Sequence, residues 1–186
     1  MSLEYDYIIA GGGSAGCVLA SRLANKSKDS ICLVEAGGGG KNLFIKMPAG
    51  NGFIFGNPKF DWGYHSVKQS QLNNRKIYFA RGKGLGGTSI VNGMVYIRGV
   101  AQDYDNWRQM GLDGWGYSDL LPYFKYSEGS TNRQNKFHGN QGPLKVEPAR
   151  NFSVLDEAFI KAAVETGHEF LDDFNANKRA GVSRID

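Results

Sequence analysis

Tyr5-Asp6-Tyr7-Ile8-Ile9-Ala10 followed by Gly11-Gly12-Gly13-Ser14-Ala15-Gly16 is the stretch on which the reading of this chain turns. The first six residues are an apolar, β-favouring run, as expected of a strand buried on both faces. The next six carry glycine at the first, third and sixth places of a G-x-G-x-x-G turn. Working outward, Ser14 to Asn25 is rich in Ala and Leu and reads as a helix. Ile31-Cys32-Leu33-Val34 reads as a second buried strand, ending at Glu35. Strand, glycine turn, helix, strand and acid form the opening unit of a dinucleotide-binding α/β fold. Glu35 stands 19 positions after Gly16 (35 minus 16), against the ~20 that unit requires.

Each residue type has a physical task in such a unit. Gly11 permits the tight turn out of the strand, Gly13 lets a pyrophosphate approach the backbone, and Gly16 lets the helix lie close on the sheet. The unpaired N–H groups and positive dipole end of the helix attract phosphate. Glu35 can accept hydrogen bonds from the ribose hydroxyls of an adenosine.

Composition narrows the field. Glycine is the outlier, 26 of 186 residues, twice the usual ~7% yet without a collagen period. The 22 basic and 18 acidic residues leave +4, too mild and scattered to argue for nucleic acid. Two cysteines cannot frame a disulfide scaffold, so a reducing, cytoplasmic location is expected, with attachment at the periphery of the inner membrane left open. Mean hydropathy is −0.40, and no apolar run approaches the ~20 residues of a membrane span. No secretory signal opens the chain, and Met1-Ser2-Leu3 reads as a leader.

After Glu35 a nicotinamide-binding unit would continue with another strand and helix, and this sequence does not. Residues 36–60, with Gly37 to Gly40 and Pro48 and Pro58, lack a helical period and read as a long loop. Asp61 to Val67 and Lys76 to Ala80 look like short strands. Then Arg81-Gly82-Lys83-Gly84-Leu85-Gly86-Gly87-Thr88-Ser89 places four glycines in six positions ahead of two possible helix caps. Two such cradles, taken as separate sites, suit the ends of a long two-headed cofactor.

With these residues in view, the chain resembles the glucose–methanol–choline (GMC) flavoprotein oxidoreductases, in particular the choline dehydrogenase and alcohol dehydrogenase-like branch. The first signature of that family is met by Gly82-Lys83-Gly84-Leu85-Gly86-Gly87-Thr88-Ser89-Ile90-Val91-Asn92, continuing through Tyr96 and Gly99 to Asp105. Further matches are Glu35-Ala36-Gly37-Gly38, Asp61-Trp62, Gly114-Trp115-Gly116-Tyr117, Phe137-His138-Gly139 and Asp173-Phe174-Asn175. The resemblance implies a Rossmann-like FAD-binding βαβ core, incomplete at its C-terminus, over residues 1–143, and the start of a substrate-binding domain over 144–186.

The resemblance also implies roles. Gly11, Gly13, Ser14 and Gly16 would hold the FAD pyrophosphate, and Glu35 the adenosine ribose. Gly86, Gly87, Thr88 and Ser89 would pass near the flavin end, and Asn92, Gly93, Met94 and Val95 would lie against its ring, with Ala15, Ala36, Arg81 and Gly82 also counted as cofactor-binding. Some members attach the flavin through a histidine just before the matching asparagine; Val91 stands there and has no nucleophile, so dissociable FAD is expected. The implied reaction is oxidation of a primary or choline-like alcohol by hydride transfer to flavin, with quinone or oxygen as final acceptor. Its histidine base would lie beyond Asp186, leaving these 186 residues without a catalytic residue and inactive alone. The alternatives are a non-catalytic nucleotide-binding module complete at this length and a nicotinamide-dependent dehydrogenase. No nucleic acid, transmembrane segment or metal is expected.

Other residues have structural readings. His65 and His138 match no base, and His168 caps a helix running from about Ser153 to Gly167. Cys17 packs in the first turn of its helix, and Cys32 is core. Ala101 to Met110 and Ser118 to Ser127 read as helices, the latter with Tyr117, Leu120, Leu121 and Phe124 as its inner stripe. Ser130 to Gln141 reads as loop, and Leu144 to Glu147 as strand.

Overall fold

The computed structural model describes residues 4–150 and 152–185, apart from the side chains of Pro48 and Asn51. The leader reading of Met1 to Leu3 lies outside the described residues. The chain forms two compact units, Met1–Met94 and Val95–Asp186. The expected boundary between residues 143 and 144 falls inside the second unit.

In the first unit, β1 (Tyr7–Ala10), α1 (Ser14–Lys26) and β2 (Ile31–Val34) form the βαβ element. The strands pair in parallel from Tyr7 opposite Ile31 to Ala10 opposite Val34. Asp6 fixes that register at its open end, its Oδ2 accepting from the amide and the hydroxyl of Ser30, both at 2.7 Å. A Cβ on Gly16 would stand 1.9 Å from the Gly11 carbonyl and 3.4 Å from Ile9, so only glycine lets α1 lie this close to β1. The expectation of burial on both faces is corrected: Ile9, under α1, is buried, but Ile8 on the opposite face is 69% exposed. Alternation in the pleat sends these neighbours to opposite faces, and α1 covers one. Cys32 is likewise half-buried rather than core.

The stretch read as a long loop is also corrected. It contains α2 (Leu43–Lys46), a 3₁₀ turn over Pro48–Gly50 and α3 (Asn51–Ile54). Each α-helix is a single turn, too short to display a 3.6 period. Asn42 caps α2 by accepting from the Phe44 amide at 2.9 Å. Ile54 is wholly buried and forms the core of the unit with Phe60 and Val91, flanked by Ile45 and Ile90. β3 (Tyr64–His65) then pairs antiparallel with β4 (Tyr78–Phe79).

The second unit holds α4 (Ala101–Gln109), α5 (Tyr117–Ser127), β5 (Glu128–Ser130), β6 (Leu144–Val146) and α6 (Val154–Glu165). Asp103 and Asp119 reach back to the N–H groups of Val100 and Gly116 at 2.9 and 3.0 Å, starting α4 and α5. Tyr104 packs on Trp107, Tyr117 and Phe124, and the stripe Tyr117, Leu120, Leu121 and Phe124 faces inward while Tyr123 and Tyr126 are exposed. The loop reading of Ser130 is corrected, since Ser130 ends β5, which pairs in parallel with β6. His168 does not end a helix: α6 stops at Glu165, Gly167 turns left-handed (φ +97°), and the His168 and Gly167 amides donate to Ala163 and Val164. That pattern is a Schellman cap, so backbone rather than imidazole closes α6.

Candidate dinucleotide-binding cleft

Gly13 is the N-cap of α1, and its missing side chain leaves the helix start uncapped. The first helical hydrogen bond runs from the Cys17 amide to the Gly13 carbonyl at 2.9 Å. The amides of Ser14, Ala15 and Gly16 therefore have no acceptor among the described residues, and they carry the positive end of a 13-residue helix. Cys17 donates its thiol to the Gly12 carbonyl at 3.1 Å, a packing role.

A cleft of about 690 Å³ opens at this helix start, within the usual ~300–1,000 Å³ of ligand sites. Its floor is Gly11, Gly13 and Ser14, and its acidic end is Val34, Glu35 and Ala36. Its far wall is Trp62, Tyr64, Arg81, Gly82, Gly87 and Thr88. Glu35 is aimed by backbone: Oε2 accepts from Gly12 at 2.7 Å and Oε1 from Gly37 at 2.9 Å. These amides, Gly37's first, outweigh desolvation and hold the carboxyl below its ordinary range, so it is an anion with lone pairs left for hydroxyl donors.

The two glycine cradles, expected as separate sites, are one. Gly86 donates its amide to the Gly12 carbonyl at 2.7 Å, and a Cβ on Gly87 would stand 2.7 Å from the Gly13 Cα. Bare backbone on both sides is what allows this approach.

The remaining expected site residues are placed as follows. Ala15, Gly16, Gly86 and Ser89 do not line the cleft but lie within the segments that form it; Ser89 donates to the Gly86 carbonyl at 2.7 Å and closes the turn. Asn92, Gly93, Met94 and Val95 do not line it either. Asn92 accepts from the Met94 amide at 3.2 Å, and Met94 is left-handed (φ +56°), a local Asx turn. Val91 is buried in the Ile54 cluster. His65 contacts the Gly63 carbonyl through Nδ1 at 3.0 Å.

Sequence reasoning gave no role to Trp62 and Tyr64, which stack with centroids 6.0 Å apart and form one wall. Lys83 lies with Nζ 4.9 Å over Trp62. The alternation in Asp61 to Val67 was the available signal, since it marks Trp62 and Tyr64 as sharing a face.

The cleft suits a dinucleotide such as FAD. A Cβ on Gly11 would meet nothing within 4 Å and one on Gly13 only Gly87 at 4.0 Å, so both face open space that a side chain would otherwise fill. Unpaired amides at the helix start would face an anion bound there, and an ionised carboxylate stands where ribose hydroxyls are bound in such units. No described group of His, Cys, Asp and Glu could hold a metal, and no described helix is long and apolar enough to cross a membrane.

Comparison with known proteins agrees with this geometry. The oxygen-dependent choline dehydrogenase of Sinorhizobium fredii is 44% identical over 184 residues, 99% of this chain and 34% of that protein. Pyridoxine 4-oxidase from Mesorbium loti superposes with a TM-score of 0.89 at 33% identity, over 96% of this chain and 35% of that one. An FAD-dependent oxidoreductase from Chaetomium thermophilum gives 0.85 at 31%, over 98% and 33%. This chain thus spans about a third of the length of these relatives. Its residues 5–186 match the GMC oxidoreductase family, and the chain belongs to that family.

Proposed function

We propose that this chain holds FAD without a covalent bond in the cleft of its first unit, and that the enzyme built on it oxidises a primary or choline-like alcohol. The observation that carries this reading is the meeting of unpaired α1 amides, bare Gly11 and Gly13, and ionised Glu35 in one cleft. The S. fredii relative bears the name of a choline dehydrogenase, which supports the choice of substrate class. FAD, when bound, supplies the hydride acceptor.

The residues divide the binding work. Ser14 presents its amide to the pyrophosphate from the cleft lining, with the Ala15 and Gly16 amides behind it adding to the positive helix start, Gly11 and Gly13 admit the pyrophosphate to the backbone, and Gly87 and Thr88 close the opposite side. Glu35 accepts from the ribose hydroxyls, its orientation held by Gly12 and Gly37. Trp62 and Tyr64 offer an aromatic wall, and Arg81 adds a cation. Asn92 to Val95 are assigned to the flavin ring. Val91, apolar and buried, offers no bond to flavin. None of His65, His138 and His168 lines the cleft, so the base is assigned to a residue outside these 186, as are the final acceptor (quinone or oxygen) and most of the substrate domain that residues 144–186 begin. The enzyme is assigned to the cytoplasm, with attachment at the periphery of the inner membrane left open.

The test is made on the purified full-length enzyme. It should be yellow, release all flavin into the supernatant on acid denaturation, and be bleached by choline or a primary alcohol. A flavin-tagged peptide would refute the dissociable cofactor, a colourless protein the FAD assignment, and a flavin that no alcohol reduces the reaction.

A further inference from the structure

Asp61 is the one buried carboxylate among the described residues of the first unit, 2% exposed, and it does not line the cleft. Four donors converge on it. Oδ1 accepts from the amides of Gly63 at 2.9 Å and Arg81 at 3.1 Å. Oδ2 accepts from the Gly56 amide at 2.9 Å and from the Tyr78 hydroxyl. The Gly56 amide also lies 3.0 Å from the Tyr78 oxygen, and the Trp62 amide donates to the Arg81 carbonyl at 2.9 Å. One carboxylate thus ties together the end of the 36–60 stretch, the chain entering β3 and the chain leaving β4.

Those tied segments carry the far wall of the cleft: Trp62 and Tyr64 flank Gly63, and Arg81 and Gly82 follow β4. Backbone bonds from the Trp62 amide to the Arg81 carbonyl and from the Lys83 amide to the Phe60 carbonyl continue the pairing past the short strands, and Asp61 is the side chain that bonds all three segments. The strand pair is two residues long on each side, and the buried apolar cluster nearby is Ile54, Phe60 and Val91. A buried acceptor shared by four donors from three segments has one arrangement that satisfies all of them, and displacing any segment leaves an unpaired buried group.

We propose that Asp61, with Tyr78 as its partner, is the positioning residue of the dinucleotide cleft, setting Trp62 and Arg81 against the glycine turn. The inference rests on the cleft being the cofactor site proposed above. It separates two roles in the Asp61-Trp62 pair: the aromatic ring makes the wall, and the acid aims it.

The chemistry of the side chains supplies the test, with ADP as the probe of the cleft, calorimetry as the readout, and melting of each apoprotein measured alongside. All variants are made in the full-length enzyme stripped of flavin. Asp61→Ala leaves the Gly56, Gly63 and Arg81 amides without their acceptor, and ADP affinity should fall at least about thirtyfold at temperatures where the apoprotein remains folded. Asp61→Asn keeps one carbonyl oxygen for Gly63 and Arg81 and turns its NH₂ to the Tyr78 oxygen, which also lies 3.0 Å from the Gly56 amide and can accept from both, so affinity should stay within about fivefold of wild type. Tyr78→Phe alone should be mild, because Gly56 still donates to Oδ2. Combined with Asp61→Asn it removes that acceptor, and the double variant should drop about as far as Asp61→Ala, a non-additive result.

A purely structural Asp61 would lower the melting temperature while leaving ADP affinity below it unchanged. Asp61→Ala within twofold of wild type, or Asp61→Asn indifferent to Tyr78, overturns the proposal. Should Asp61→Ala not fold, the Asn and Phe variants carry the test. Wild-type protein that binds neither ADP nor FAD overturns the cofactor reading and the positioning with it; wild-type binding with an unaffected Asp61→Ala overturns the positioning alone.

Discussion

Glu35 in the first unit and Glu128 in the second are both held by short hydrogen bonds, and only one of them faces a cleft. Glu35 takes its bonds from the backbone amides of Gly12 and Gly37, and its carboxylate also borders open space. Glu128 is 0% exposed and ringed by partners. Arg98 donates to it at 2.6 Å, the Gly139 amide at 2.9 Å, and His138 Nδ1 meets its other oxygen at 2.7 Å. Asp173 closes on His138 Nε2 at 2.8 Å, and Arg98 spends a further donor on the Phe137 carbonyl at 2.7 Å. Asn175 completes the knot, accepting from the Arg98 amide at 2.9 Å and donating to the Tyr96 carbonyl at 3.0 Å. The two backbone amides on Glu35 fix its carboxylate from one side and leave it capacity for a ligand. Charged side chains gathered around a carboxylate consume that capacity and turn it into structure.

The sharpest way to break the contrast is to remove the closed carboxylate. Glu128→Ala leaves Arg98 and His138 buried without their shared acceptor, and the second unit should lose about 3–5 kcal/mol, as buried ion pairs do when one partner is deleted. Guanidinium unfolding followed by the fluorescence of Trp107 and Trp115 reads this, and an unchanged midpoint would mean the network is structurally idle. Next in size is Gly16→Ala. Its Cβ would meet the Gly11 carbonyl at 1.9 Å, and since that atom is backbone the helix must move. A loss of about 1–3 kcal/mol is expected, as for overpacking elsewhere, with FAD retention on gel filtration lost as well.

Glu35→Gln tests the open carboxylate directly. It replaces an ionic acceptor by a neutral amide that can serve only one of the Gly12 and Gly37 amides, so ADP-ribose should bind about tenfold more weakly and the melting temperature should fall as well. Equal affinity would remove Glu35 from the site. The smallest effect is that of mild acid. Glu35 and Asp61 are both held below their ordinary values of 4.5 and 3.8. For Asp61 burial pulls upward, and the donors Tyr78, Gly63, Gly56 and Arg81 outweigh it. A lowered carboxyl pKa stabilises the folded form fully above the ordinary value and loses that contribution as pH falls toward the lowered one. The two groups should therefore leave melting indifferent to pH near neutrality and lower it below about 4.5, more steeply below 3.8. A melting temperature that rises over that acidic range would contradict the assignment.

Legibility in the sequence followed the range of the interactions. α1 was expected over Ser14 to Asn25 and spans Ser14–Lys26, and β2 was read residue for residue. Helical period and glycine spacing are written within a few positions there. α2 and α3 escaped because one turn cannot show a period, and β5 because Glu128-Gly129-Ser130 has no strand former among its three residues. The second glycine segment was recognised, but its location was not: nothing local says that Gly86 bonds to Gly12. The structural reading of His138 is supported by its two carboxylate contacts, while Glu128, ten positions earlier, is not legible in the sequence because a single acid carries no pattern.

By itself, then, the sequence determined the βαβ element, the turn that opens it and the acid that ends it, because conformational preference and spacing act along some thirty neighbouring residues. Tertiary structure alone decided which residues face the turn, that Asp61 binds the segments bearing them, and that Glu128 is closed to ligands. Those outcomes depend on donors and acceptors brought together from positions such as 12 and 86, 61 and 81, or 98 and 175, and meetings at that separation leave no periodic trace in a chain.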